Sequence, residues 1–284
     1  MLLATQAFQI PKRTKRSPLK NIIRAPRYLV YMIKCLFVFK TPFSIIRHYV
    51  RRTSPRSKII VMRNGLKIHV SDHPHDIITI LVIMAKQDYG RVERDNLVID
   101  IGANIGVFSL FAARAGAKKV YAVEPNQRAY EILLRNIAAN AYQDVIIPFK
   151  LAMSSTSGQQ VKFPVAPSPY NQILPGDVME DYELVKTTNL EDFLNASEIA
   201  RADLLKLDCE GHEYEIFFKT PDVVFSMIDR IVMEFHPGPV QDLITFLKRH
   251  RHNLTHFDPD SAILKFVREF DPERDSRLTS GECK

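Results

Sequence analysis

The chain has 284 residues, of which 46% are hydrophobic and 25% are charged, a composition typical of one globular α/β domain with an extension. Its three cysteines are too few and too scattered for a disulfide framework, which favours a reducing compartment, and no Cys or His spacing matches a structural zinc site. The net charge of +7 is unevenly distributed, because residues 1–70 contain 16 Lys or Arg and no Asp or Glu, whereas the rest of the chain is acidic.

Residues 1–57 form a predicted basic, partly helical extension. Its apolar runs, at 29–33 and 36–39, are far shorter than the ~20 residues that span a bilayer. The composition favours an amphipathic helix on an anionic membrane surface, with four aromatic side chains as apolar anchors: Tyr31, Phe37, Phe39 and Phe43. The alternative is a helix that packs against the main domain or against a second subunit.

The charges of residues 1–57 also indicate where the protein is located and which partners it binds. Its charges follow the first short apolar stretch, a pattern unlike a signal peptide, so we expect a cytoplasmic protein, peripheral on the inner face of the membrane if the surface interpretation holds. Nucleic acid is disfavoured as a partner, because no stacking module or base-reading motif accompanies the charges. The sequence makes no prediction of oligomeric state.

A hairpin and a helix are predicted between the extension and the core, within residues 58–94. Residues 59–70 combine an apolar run, an Asn-Gly turn and an alternating run, and residues 73–86 have the pattern of a helix with one apolar face. His73 and His75 lie near acidic residues. Their two-residue spacing across a proline, with no fixed third ligand, favours a loop over a metal site.

The predicted core, residues 95–270, begins with a strand, a glycine turn and a helix. The strand at 97–101 is an apolar, β-branched run of the kind that is buried on both faces, so Asp100 within it needs a partner. Gly102 and Gly106 give the turn the backbone freedom to approach a ligand closely, and Asn104 occupies a position where a positive φ is tolerable. The helix is expected to end at Gly116.

The turn has the pattern of a nucleoside site. Glu124 ends the second strand about 20 residues after the first glycine, where such folds place an acid on the ribose hydroxyls. The turn lacks the Lys-Ser/Thr of a P-loop, and its two acids suit a cationic nucleoside such as S-adenosylmethionine better than a pyrophosphate. A plain chain reversal is the alternative. The predicted ligand-binding residues are Asp100, Gly102, Asn104, Gly106, Glu124, Pro125 and Asn126.

The remaining elements alternate strands and helices before a polar tail at 271–284. Asn126 is predicted to cap a helix that runs to Asn140. Residues 166–186 are rich in Pro, Gly and acids, which predicts an insertion over the site, a candidate lid. The other predicted elements are strands at 145–151, 159–165, 204–207 and 230–235, a helix at 241–250, and a closing antiparallel pair at 253–257 and 262–270.

Five blocks of this sequence, at 100–106, 124–126, 136–140, 205–213 and 233–236, resemble in their order and spacing the FkbM-type S-adenosylmethionine-dependent methyltransferases. The resemblance implies a class I methyltransferase fold, an α/β Rossmann-like fold with a mostly parallel seven-stranded sheet and a terminal antiparallel strand. It also implies O-methylation of a hydroxyl on a sugar, glycan or related natural product. The alternatives are a protein or nucleic-acid methyltransferase docked by the basic N-terminus, and a non-catalytic donor-binding membrane scaffold.

Methyl transfer requires the acceptor oxygen to be oriented and to lose its proton, and the strand ends supply candidate groups. His236 is the predicted base, oriented by Glu234 or Asp208, because an imidazole titrates near ~6.5. A solvent-facing His236 is the alternative. Asp208 and Glu210 are the other predicted catalytic residues, and Lys206 is expected to pair with an acid. No metal ligand is assigned, although Asp208, Glu210 and Glu234 form an alternative Mg²⁺ or Ca²⁺ set.

Overall fold

The computed structural model of the chain describes residues 30–165 and 181–270. The predictions for the basic stretch before residue 30, for most of the lid and for the polar tail lie outside these residues. No helix within the described residues is both long and apolar enough to cross a membrane.

The N-terminal elements are two helices, a hairpin and a third helix. They are α1 (30–38), α2 (Pro42–Arg51), β1 (Ile59–Val61), β2 (Lys67–His69) and α3 (His75–Ile80), and α3 continues as a π-helical turn over Leu81–Lys86. The predicted hairpin is confirmed, with Ile60 opposite Ile68. The predicted helix at 73–86 is also confirmed, with its second half wound as a π-helix.

The core alternates strands and helices. Its elements are β3 (Leu97–Ile101), α4 (Val107–Ala115), β4 (Lys119–Val123), α5 (Gln127–Ala139), β5 (Ile146–Phe149), β6 (Ala152–Met153), β7 (Gln160–Pro164), β8 (Tyr182–Thr188), α6 (Leu190–Ala196), β9 (Leu204–Leu207), α7 (Glu213–Lys219), α8 (Asp222–Ser226), β10 (Arg230–Glu234), α9 (Val240–Arg249), β11 (His252–Asp258) and β12 (Ile263–Arg268).

Seven of these strands form one sheet in the order β11-β12-β10-β9-β3-β4-β5. The pairs β10–β9, β9–β3, β3–β4 and β4–β5 are parallel, and β12 runs antiparallel to both of its neighbours. The predicted class I methyltransferase fold is therefore confirmed. The antiparallel strand is the last in the chain, as expected, and in the sheet it lies between β10 and β11.

The two faces of the sheet pack against different helices. Because successive side chains of a strand point to opposite faces, Val98 and Ile99 belong to separate buried clusters. The Val98 cluster contains α4, α5 and the N-terminal helices, and the Ile99 cluster contains α6, α7, α8 and α9. Burial on both faces explains why β9 is apolar except for Lys206.

A second, three-stranded sheet in the order β6-β8-β7 contains the last residues of the predicted lid. Residues 182–186 belong to β8 and pair antiparallel with β7, so this end of the predicted insertion is regular structure. These residues form a strand because buried and exposed side chains alternate along β8: Val185 and Thr187 are buried, and Lys186 between them is exposed.

The described part of the N-terminal extension packs on the core. Phe39 is fully buried and pairs with Met62 of the hairpin region. The hairpin is held in turn by α5, because the side-chain amide of Asn136 bonds both the N–H and the carbonyl of His69, and Asn140 does the same for Lys67. The prediction that Phe39 is exposed as a membrane anchor is wrong, since its ring fills this core.

Asp100 and Lys206 form a fully buried ion pair at the centre of the sheet. The Lys206 ammonium lies 3.1 Å from Asp100 Oδ1, and the Ser109 hydroxyl donates to Asp100 Oδ2 at 2.6 Å. The expected partner of Asp100 is thus found on the adjacent parallel strand. Burial alone would lower the pKa of Lys206, but the charges of Asp100 and Asp208 outweigh it and raise that pKa, so the lysine stays charged.

Replacing Lys206 with Met is expected to lower the free energy of unfolding by about 3 to 5 kcal/mol, because Asp100 would keep a buried charge without its counter-ion. Urea unfolding followed by circular dichroism measures the change. The matched control is Lys58→Met, whose partner Asp72 is 94% exposed, and which we expect to stay within about 0.5 kcal/mol of the parent. A loss below about 1 kcal/mol in Lys206→Met contradicts the structural role of this ion pair.

Candidate active site

The turn between β3 and α4 has three residues in the left-handed backbone region. Gly102, Asn104 and Gly106 have φ values of 73°, 51° and 84°, so the predicted positive φ at Asn104 is confirmed. Gly106 caps the N-terminus of α4, and its N–H donates to the Ala103 carbonyl at 2.8 Å. The turn is therefore short and fixed by its own backbone.

Gly102 brings this turn into contact with the loop after β9. A Cβ atom on Gly102 would lie 1.8 Å from the carbonyl oxygen of Asp208, so only glycine fits. At the other end of the turn, a Cβ on Gly106 would lie 2.4 Å from Leu133 Cδ1 of α5. The two glycines thus allow the turn to pack closely against the loop after β9 on one side and against α5 on the other.

Glu124 joins the turn to the end of β4. Its carboxylate accepts the N–H of Asn104 at 2.7 Å and the N–H of Asn126 at 2.8 Å. Burial raises the pKa of Glu124 to about 7, although these two hydrogen bonds act in the opposite direction. The Glu124 side chain is only 6% exposed, and its hydrogen bonds fix the backbone of the turn beside which it lies.

Two of the predicted ligand-binding residues use their side chains within the protein. Asp100 is fully buried against Lys206 and Ser109, so its carboxylate offers no accessible oxygen. Asn126 accepts the N–H of Ala129 at 2.9 Å, which confirms the predicted cap of α5, and its amide donates to Pro164. The other predicted residues, Gly102, Asn104, Gly106, Glu124 and Pro125, all lie in the turn or at the end of β4.

A cluster of acids lies at the carboxyl ends of β9 and β10, next to the Gly102 contact. We define the acid cluster as Asp208, Glu210, Glu234 and His236. The side chains of Asp208, Glu210 and His236 are 25%, 18% and 21% exposed, so a substrate can reach them. The predicted catalytic residues Asp208, Glu210 and His236 are therefore brought together.

Tyr89, which lies between the π-helical turn that ends at Lys86 and β3, links two members of the cluster. Its hydroxyl lies 3.1 Å from Asp208 Oδ2 and 3.2 Å from Glu234 Oε2. Burial and the two neighbouring acids raise the pKa of Tyr89 well above its usual value, so the phenol keeps its proton and donates it in a hydrogen bond. No local pattern marks Tyr89, because its partners are 119 and 145 positions away.

Glu234 has a raised pKa. Burial, followed by the charge of Asp208, raises the pKa of Glu234 to about 8. The raised pKa favours a protonated Glu234 beside Asp208, and Tyr89 lies within hydrogen-bond distance of both.

His236 lies between two carboxylates. Its Nε2 is 3.1 Å from Glu210 Oε2, and its Nδ1 is 3.0 Å from Glu213 Oε1. The prediction that Glu234 or Asp208 orients the ring is wrong. Burial alone would lower the pKa of His236, but Glu210 and Glu213 outweigh it and raise that pKa to about 11. A doubly protonated imidazole has no lone pair for a proton, so this arrangement disfavours His236 as the base.

Glu213 fixes both the histidine and the turn after β9. It is fully buried, and its carboxylate accepts N–H groups from Cys209 at 2.9 Å and from Gly211 at 3.0 Å. Burial would raise the pKa of Glu213, but His236 and the backbone hydrogen bonds outweigh it and lower that pKa. Glu213, in the first turn of α7, thus holds both the ring of His236 and the backbone of the preceding turn.

One group of described residues has the spacing of a cation site. Asp208, Glu210 and His236 each offer a ligand atom within 4.8 Å of the others. This set differs from the predicted alternative by His236 in place of Glu234. Both ring nitrogens of His236 already contact carboxylates, so a cation there would have to displace Glu210.

One family profile matches more than half of the chain. The profile described as the methyltransferase FkbM domain matches residues 100–256. The hexuronic acid methyltransferase AglP of Haloferax volcanii is 26% identical over 148 residues, which are 52% of this chain and 59% of that protein. Methyltransferase sdnD of Sordaria araneosa is 26% identical over 192 residues, 56% of this chain and 74% of that protein.

The chain was also compared with solved structures, one of which carries the same family name. The methyltransferase FkbM from Methylobacillus flagellatus KT is 15% identical, with a TM-score of 0.42, over 79% of this chain and 58% of that chain. This chain spans about three fifths of the Haloferax protein's length. Because the family profile matches more than half of its residues, the chain belongs to the FkbM family of S-adenosylmethionine-dependent methyltransferases.

Proposed function

We propose that the chain transfers a methyl group from S-adenosylmethionine to a hydroxyl oxygen of a sugar, a glycan or a related natural product. The observation that carries this proposal is the contact of Gly102 with the Asp208 carbonyl, because it brings a nucleoside-type turn next to partly exposed acids. The similarity to a protein named as a hexuronic acid methyltransferase supports a sugar acceptor.

The donor is proposed to bind at the turn formed by Gly102, Asn104 and Gly106, with Glu124, Pro125 and Asn126 on its far side. Each oxygen of Glu124 accepts one backbone N–H and keeps a second lone pair for a ribose hydroxyl. Asp100 acts indirectly, because its charge holds Lys206, whose ammonium donates to the Gly102 carbonyl at 2.8 Å.

We assign the proton acceptor to Asp208. When bound, the donor supplies an already activated methyl group, so the protein has to orient the acceptor hydroxyl and remove its proton. Glu210 is held by the cationic His236, and the pKa of Glu234 is raised by burial and by the charge of Asp208, which favours its protonated form. Asp208 and Glu234 are the two cluster carboxyl groups outside the His236 contacts, and the raised pKa of Glu234 leaves Asp208 to take the hydroxyl proton as the oxygen attacks.

The other cluster residues are positioning residues in this proposal. The Tyr89 hydroxyl, between Asp208 and Glu234, restricts the rotation of the Asp208 carboxylate. His236 fixes Glu210, which leaves Glu210 to accept a hydrogen bond from a second hydroxyl of the acceptor. A polyhydroxylated acceptor such as a sugar satisfies both carboxylates.

Replacing Glu124 with Ala is expected to weaken S-adenosylmethionine binding by about 10-fold to 100-fold, since each lost charge-assisted hydrogen bond contributes roughly 1.5 to 3 kcal/mol. Isothermal titration calorimetry measures the affinity, and circular dichroism checks the fold. The matched control is Glu131→Ala on the surface of α5, with a side chain 48% exposed. An unchanged affinity in folded Glu124→Ala contradicts the donor assignment.

Asp208→Asn is expected to lower turnover by about 100-fold or more while donor affinity changes less than twofold, because the turn touches the Asp208 backbone and not its carboxylate. Asp222→Asn, at a side chain 89% exposed, is the control. His236→Gln is expected to lower turnover by a smaller factor than Asp208→Asn. It is also expected to leave unchanged the acidic limb of the pH–rate profile, where the rate falls at low pH. If that limb disappears in His236→Gln while Asp208→Asn remains active, the base is His236.

The acceptor class is tested by donor-dependent transfer of a labelled methyl group to a panel of uronic-acid oligosaccharides, neutral glycans, proteins and RNA. We expect label in the saccharides, lost in Asp208→Asn. Label confined to protein or RNA contradicts the proposed acceptor class. Donor binding without transfer to any member supports the non-catalytic alternative.

A further inference from the structure

The helices α1 and α2 present apolar side chains to solvent although their opposite sides are buried. Phe37, Phe43 and Val50 are 75%, 77% and 70% exposed, and Val30 and Ile33 are about half exposed. These five residues define the outer apolar face. Several large exposed hydrophobic side chains on two consecutive helices are typical of an interaction surface.

Helical spacing places the outer apolar face opposite the core contacts. Val30, Ile33 and Phe37 follow the i, i+3, i+7 pattern on one side of α1, whereas Cys35 between them is buried. In α2, Phe43 and Val50 are seven positions apart and share a side, while Ile45 is buried. Each helix is therefore apolar on two sides, of which the fold covers one.

The same surface is strongly basic. Lys34, Lys40, Arg47, Arg51 and Arg52 are all exposed, and the sequence has no Asp or Glu before Asp72. Arg47 lies between Phe43 and Val50 at helical spacing, so positive and apolar groups alternate on one side of α2. This combination is typical of helices that lie in the headgroup region of an anionic bilayer.

We propose that the outer apolar face of α1 and α2 docks on an anionic lipid surface. Nucleic acid would engage the charges but leaves the apolar side chains uncovered. A second copy of the chain in a two-fold dimer would bring the same uncompensated basic face against itself. An anionic bilayer satisfies both features, since its headgroups pair with Arg and Lys and its interfacial layer covers Phe and Val.

Sedimentation of the full chain with vesicles tests this proposal, independently of any methyl transfer. We expect co-sedimentation with phosphatidylcholine vesicles containing phosphatidylglycerol at low salt. Binding should fall at least tenfold with pure phosphatidylcholine or at high salt. Two double variants, Phe37→Ser/Phe43→Ser and Arg47→Glu/Arg51→Glu, are expected to reduce binding by a similar factor, because each removes one of the two required components.

Matched controls change similar groups elsewhere. Phe270→Ser alters a ring that is 65% exposed, and Arg114→Glu/Lys118→Glu reverses two exposed charges near the end of α4; both should bind as the parent does. The proposal is overturned if the parent does not sediment with anionic vesicles, or if both face variants bind normally. It is also overturned if lipid-free protein forms a dimer that Phe37→Ser/Phe43→Ser dissociates, or if duplex RNA competes fully for the surface.

Discussion

A single buried ammonium group holds together the two loops on which the candidate site is built. Lys206 extends from β9 to Asp100 on β3, and it also donates to the carbonyls of Ile101 and Gly102 at 3.3 Å and 2.8 Å. Its charge lies 3.9 Å from Asp208 on the other side. Because Asp100 of β3 and Asp208 after β9 both lie near this one cation, the turn between β3 and α4 and the loop after β9 cannot separate without leaving a buried charge unpaired.

The electrostatics of the cluster follow from this arrangement. Four carboxyl groups, those of Asp208, Glu210, Glu213 and Glu234, lie near two cations, Lys206 and His236. Burial, followed by the charge of Asp208, raises the pKa of Glu234, and the contacts with Glu210 and Glu213 raise the pKa of His236 despite its burial. These electrostatics support the proposal that a carboxylate accepts the proton and that the cationic ring fixes Glu210 in place.

Local chemistry made much of the fold and of the donor turn predictable from the sequence. Positive φ at Asn104, the Asn126 cap and the strand at 204–207 each depend on residues within a few positions. The choice of partners in the acid cluster did not follow from any local pattern. Glu213 reaches His236 across 23 positions and Tyr89 reaches Glu234 across 145, so these contacts depend on side-chain rotamers and on the packing of separate elements. The strand β8 was missed because Pro- and acid-rich neighbours masked its short alternation.

The two interpretations of the N-terminal segment are compatible once the faces of its helices are considered separately. Phe39 and Cys35 belong to the same buried cluster as Leu110 and Leu133 of the core, which supports packing for the inner side. The outer side keeps exposed Phe and Arg residues that this packing does not use. Removal of the whole segment would therefore uncover the core together with any docking surface and would not separate the two roles. Substitutions limited to exposed side chains do separate them, because a lipid surface and the protein core contact opposite sides of the same helices.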